Sequence, residues 1–102
     1  GAVKSVSVGV SSSENVGTDK SVDAGGNISE SAGDDISLTA GKNFTVKAGK
    51  NGLIDIADQL VIRCGKASIT LKKNGDITIQ GKLINVKGSG NIVMKANKIL
   101  EN

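Results

Sequence analysis

The chain has 102 residues, 37% of them hydrophobic but only 1% aromatic: Phe44 is the sole aromatic side chain, and Trp, Tyr, His and Pro are absent. Thirteen Lys and Arg against ten Asp and Glu leave a net charge of +3, and a single cysteine, Cys64, excludes an intrachain disulfide. A chain this short holds at most one small domain. Without large side chains it cannot easily build a conventional core, so composition points to a repeat architecture or to partners that complete the core.

Several chemistries are excluded at once. With no His, nucleophilic catalysis through a His base is impossible. One Cys and no His cannot make the usual zinc site. No apolar run approaches the roughly 18 residues that span a bilayer. No catalytic residue, cofactor or metal ligand is expected, and the chain is read as non-enzymatic.

The chain opens on Gly1-Ala2 with no Met. Gly1-Ala2 is read as an expression scar on a piece of a longer protein. Residues 1–7 are read as a poorly defined N-terminal segment, and residues 8–102 are expected to form one repeat domain. Charge is uneven along the chain: residues 1–40 carry six acids and two bases, and residues 41–102 carry four acids and eleven bases.

From Val8-Gly9 onward a step recurs every eight residues. It passes through Val16-Gly17, Ala24-Gly25, Ala32-Gly33, Ala40-Gly41 and Ala48-Gly49, continues at Ile56-Ala57 and Cys64-Gly65, and returns at Gln80-Gly81, Gly88-Ser89 and Ala96-Asn97. A fixed period over most of a chain outranks local signals. Within each octad apolar and polar residues alternate, as in Ile36-Ser37-Leu38-Thr39 and Phe44-Thr45-Val46-Lys47. That is the period of a strand with one buried face. Glycines followed by Asp, Asn or Lys read as turns, with Gly supplying conformations closed to other residues.

The inward positions predicted by this phase are Ile28, Ile36, Leu38, Phe44, Val46, Ile54, Ile56, Leu60, Ile62 and Cys64. They continue at Ile69, Leu71, Ile77, Ile79, Ile84, Val86, Ile92 and Met94. Between Gly65 and Gly81 the phase slips by one residue, which would reverse the faces unless a bulge or turn absorbs it. Asn74-Gly75 is the expected place for that correction.

On the same inward phase fall Glu14, Lys20 and Glu30. Charges on an axis must be paired, protonated or hydrated, so two readings stay open there: a polar or hydrated section of core, with Lys20 facing a neighbouring chain's Glu30, or irregular rungs whose side chains reach solvent. A solvent-exposed Glu30 would end that expectation. Asp34-Asp35 reads as a turn pair rather than as catalytic acids or calcium ligands. Gly88-Ser89-Gly90 lacks the Lys-Ser/Thr of a phosphate loop and reads as a tight turn. The lysines at 66, 72, 73, 82, 87, 95 and 98 read as a solvated surface, since no aromatic side chains lie among them to stack on bases. Cys64 reads as a small buried hydrophobe.

Eight residues per rung are too few to close a single-chain solenoid. Near-equivalent octads without a 24-residue modulation suit three identical chains around a threefold axis. The predicted fold is therefore all-β: an octad-repeat, intertwined trimeric β-helix, or triangular β-prism. At about 4.8 Å per rung, twelve octads would make a rod of roughly 55 Å.

The Val/Ala-Gly octads, together with the stretch Cys64-Gly65-Lys66-Ala67-Ser68-Ile69-Thr70-Leu71-Lys72-Lys73-Asn74-Gly75-Asp76-Ile77-Thr78-Ile79-Gln80-Gly81 and the Ile84, Val86 and Gly88-Ser89-Gly90 that follow, resemble the C-terminal region of the VgrG family of type VI secretion spike proteins, related to the contractile-tail phage cell-puncturing spike. The resemblance covers about residues 8–102. It implies a homotrimeric needle that punctures target membranes and carries a conical tip protein or an effector at Ile99, Leu100, Glu101 and Asn102. Further partners implied are a tail tube joined through a preceding part of the protein and, transiently, a target membrane; no nucleic acid is expected. The needle would be assembled in the bacterial cytoplasm and secreted through the type VI apparatus, ending outside the cell or in the target cell. Two alternatives stay open: a phage tail-spike fragment, and a single-chain β-solenoid that binds a surface.

Overall fold

A computed structural model describes residues 3–102; the expression-scar reading of Gly1-Ala2 lies outside the described residues. The chain divides into two units, Gly1–Thr45 and Val46–Asn102.

In the first unit no described residue belongs to a helix or strand. The backbone bends at 9–10, 17–18, 25–26, 33–34 and 41–42, each time at a glycine of the octad step. In the second unit bends follow at 49–50 and 57–58, turns at 65–66 and 73–74, and bends at 82–83 and 89–90. The eight-residue spacing thus belongs to the bends. It does not produce a repeated ladder, because no octad outside residues 59–80 pairs with another.

Among the described residues all regular structure lies in the second unit. Strands β1 (Gln59–Cys64), β2 (Ala67–Lys72) and β3 (Ile77–Gln80) form one antiparallel sheet in the order β1-β2-β3. Leu60 faces Leu71, Ile62 faces Ile69, and Cys64 faces Ala67 across the first pair. Across the second, Ile69 faces Ile79 and Leu71 faces Ile77.

The two connections explain the register. Gly65-Lys66 is a two-residue hairpin loop, and Gly65 takes φ +55. Two-residue hairpins need a positive φ at the first central position to match the twist of the strands, and glycine supplies it without steric cost. The β2–β3 connection is a tighter device. Gly75 N–H donates to the Lys72 carbonyl at 3.0 Å, and Lys72 N–H donates to the Asp76 carbonyl at 3.0 Å. Gly75 takes φ +99, so the loop is a turn followed by a left-handed residue, the three-residue hairpin with a glycine bulge. Asn74 adds its own clasp, its Oδ1 accepting from Asp76 N–H at 3.1 Å.

This geometry corrects the predicted architecture. The octad-repeat, intertwined trimeric β-helix, or triangular β-prism, is not what the chain forms. It forms an open three-stranded sheet that neither closes nor curls, because a two-residue loop joins antiparallel neighbours and a coiled or parallel path needs longer connections. The apparent phase slip has the same origin. In a two-residue hairpin the positions of facing residues add to an odd number, so the apolar set passes from even positions (60, 62, 64) to odd ones (67, 69, 71) at Gly65-Lys66. The Asn74-Gly75 turn keeps the odd set instead of correcting it.

Elsewhere the same alternation finds no partner strand. Gly65 and Gly75 are the only described glycines in the left-handed region. The octad glycines at 9, 17, 25, 33, 41 and 49 have neither a positive φ nor any atom within 4 Å of an added Cβ. The expectation that they supply special turn conformations is therefore corrected: they bend the chain without building hairpins.

Candidate association surface

Facing partners of an antiparallel pair share a face, and residues two apart along a strand share it too. The register accordingly sorts the sheet into two faces. One carries Leu60, Ile62, Cys64, Ala67, Ile69, Leu71, Ile77 and Ile79, all uncharged. The other carries Gln59, Val61, Arg63, Ser68, Thr70, Lys72, Thr78 and Gln80.

The uncharged face is bordered by two concave surfaces. At the Cys64 end, a groove of about 400 Å³ lies between Ile62, Cys64, Ile69 and Ile79 on the sheet and Leu83 and Ile84 just beyond β3. At the other end a smaller hollow of about 160 Å³ is shared by Leu60 and Leu71 with Ile54 and Ile56, which precede β1, and is rimmed by Asp55, Asp58, Lys72 and Lys73. Apolar side chains before and after the meander therefore extend its apolar face.

Within the second unit that face is only partly covered. Among the described residues none is buried; only Leu60, Ser68, Thr70 and Gly81 are half-buried. Ile69 and Leu71, on the central strand, remain 39% and 38% exposed. Each of the other predicted core positions is also open to solvent, from Ile28, Ile36, Leu38, Phe44 and Val46 through Ile54 and Ile56 to Ile84, Val86, Ile92 and Met94. Cys64 is a free, exposed thiol, so its reading as a buried hydrophobe does not hold within the chain.

The predicted polar core is likewise at the surface. Glu14, Lys20 and Glu30 are exposed. Lys20 Nζ pairs with Glu14 Oε2 of its own chain at 2.9 Å, not with Glu30. Within the single chain Glu30 is exposed and encloses no hydrated section. Ile99 and Leu100 of the predicted tip contact are exposed at 56% and 80%. Asp34 and Ser89-Gly90 sit at bends. Among the described residues no group of three or more Cys, Asp or Glu is placed to hold a metal ion, and no helix is long and apolar enough to cross a membrane.

Sequence reasoning missed Leu83, which lines the larger groove. Its signal was available: Leu83-Ile84 is an apolar pair that breaks the strand alternation, as Leu53-Ile54 and Ile92-Val93 do.

No protein-family model matches the chain, and no curated protein matches it in sequence. The likeness to the VgrG family therefore stands on the quoted residues alone. The needle function drawn from it is corrected by the fold: a membrane-puncturing rod requires the closed trimeric β-helix, and the strands form an open antiparallel sheet.

Proposed function

We propose that this chain is a structural association segment, a non-catalytic module that completes its hydrophobic core against further copies of itself. The observation that carries the reading is the exposed area. The chain presents 11275 Å² to solvent, about twice the roughly 5,400 Å² of a compact monomer of this size. The excess is rich in apolar residues that alternate with polar ones in the sequence. Folded proteins derive their stability chiefly from burying such surface against the entropy of ordering the chain. A chain with no buried side chain among its described residues leaves most of that source of stability to its partners.

Composition agrees with this reading. A disordered solubilising segment is poor in β-branched residues and rich in net charge, whereas this chain alternates Val, Ile and Leu with polar residues and carries a net +3. Identical copies are the simplest partners, because each brings the same apolar phase. Membership of the VgrG family is part of the proposal and is supported by the Cys64–Gly90 stretch. A tip or effector protein at Ile99–Asn102 is the second partner proposed, supported by the exposed Ile99-Leu100 pair.

Light scattering on a sizing column at two concentrations tests the reading. A mass of several chains that persists in mild denaturant supports it. A monomer that unfolds cooperatively at both concentrations overturns it.

A further inference from the structure

We propose that the apolar face of the β1–β3 meander is the contact that fixes the register between copies of this chain. The inference rests on the self-association reading and goes beyond it, from whether copies associate to what aligns them.

The octads cannot align copies well. Ala24-Gly25, Ala32-Gly33, Ala40-Gly41 and Ala48-Gly49 repeat one step, and the backbone bends at each. Two copies displaced by eight residues would set like against like. Register is weakly specified where neighbouring alignments bury equivalent side chains.

The meander is different in kind. It occurs once among the described residues, and it holds the chain's only strand pairs there. Its strand pairs and both of its glycine turns lie within one chain. A preformed surface loses less conformational freedom on docking than one ordered by it.

A second copy is the occupant that fits. The strand positions of the face carry no charge, and the charged residues at its Leu60–Leu71 end, Asp55, Asp58, Lys72 and Lys73, are two of each sign, so a like face meets it without a net like charge in apposition. With the flanking Ile54, Ile56, Leu83 and Ile84, its exposed apolar side chains amount to about five fully exposed aliphatic groups. That is on the order of 300–600 Å² per copy at the usual area scale of apolar transfer. With its polar rim added, such a patch approaches the roughly 800 Å² per partner of a standard stable interface.

The test measures register directly. A chain carrying Cys64→Ser and Lys50→Cys takes one nitroxide label near the bend at 49–50. Pulsed dipolar spectroscopy on the associated species then reads the distances between copies. One narrow distance is expected. With Ile79→Asn added, the associated mass should persist while the single distance splits into several. Ile62→Asn should do the same, and Thr78→Ala, on the opposite face, should keep the single distance. Circular dichroism checks that the sheet survives in each variant. A single unchanged distance in both Asn variants overturns the proposal, because register is then set elsewhere. Loss of association in both overturns it too, because the octads then do not hold copies together without the face. Several distances in the parent overturn it as well. A parent mass of one chain defeats the self-association reading itself.

Discussion

Lys73 and Asp58 meet twice: Lys73 N–H donates to the Asp58 carbonyl at 3.0 Å, and Lys73 Nζ lies 3.6 Å from Asp58 Oδ1. The backbone bond continues the β1–β2 ladder one step past Gln59↔Lys72, just where the chain enters the β2–β3 turn. The side-chain pair is open to water, and such pairs contribute little. Asp58→Asn should therefore shift the stability of the meander by less than about 0.5 kcal/mol, as surface substitutions usually do. Thermal melting followed by circular dichroism checks this.

Gly75→Val should act far more strongly. At φ +99 a β-branched residue is forced into a region it rarely adopts, at a cost of about 1–3 kcal/mol. Gly65→Val, at φ +55, falls in the same class. The expected readout is loss of strand signal from residues 59–80 in either variant.

Gly33→Ala and Gly41→Ala should leave the dilute single chain unperturbed, because an added Cβ meets nothing within 4 Å and the backbone needs no positive φ. Any loss of association in these variants would place another copy's atoms against the octad bends. Concentration-dependent mass compared with circular dichroism separates the two effects.

Gly88 is the crowded exception. A Cβ there would lie 3.1 Å from Ile92 Cγ1 and 3.4 Å from the Asn91 carbonyl oxygen. Gly88→Ala should shift the amide and methyl resonances of residues 88–92. Adding Ile92→Ala should remove much of that shift, by taking away the closer contact.

The two faces of the sheet should respond oppositely to polarity. Ile69→Asn places an amide on the apolar face, and Thr70→Asn places one on the polar face. Burying an aliphatic side chain is worth about 1.5–3 kcal/mol, so Ile69→Asn should lower the share of the single-register species roughly 10- to 100-fold while the associated mass persists, and Thr70→Asn should leave that share unchanged. Sedimentation equilibrium reads the mass, and the inter-copy label distance reads the share.

The sequence made the spacing of the bends legible, because Gly recurs with Ala at 24–25, 32–33, 40–41 and 48–49 and nothing local competes. Alternation also placed Leu60, Ile62, Ile69, Leu71, Ile77 and Ile79 together, and they do share a face. The sense of pairing was harder to read. The slip at Gly65-Lys66 looked like a defect in a continuous winding, although a two-residue hairpin produces that change of parity by itself. The Lys20–Glu14 pair was hidden for a different reason: six residues separate the partners, and the phase assigned both to an interior that the chain does not enclose.

The central claim is that apolar order outside the meander is completed only by other copies. Amide hydrogen exchange across a dilution series tests it most directly. In the dilute chain, protection should be confined to residues 59–80, where the strand pairs lie. As concentration rises, amides around Ile36, Leu38, Phe44, Val46 and Ile92 should become protected in step with the mass. Protection of those amides that is already present in the dilute chain and does not change with concentration would contradict the account.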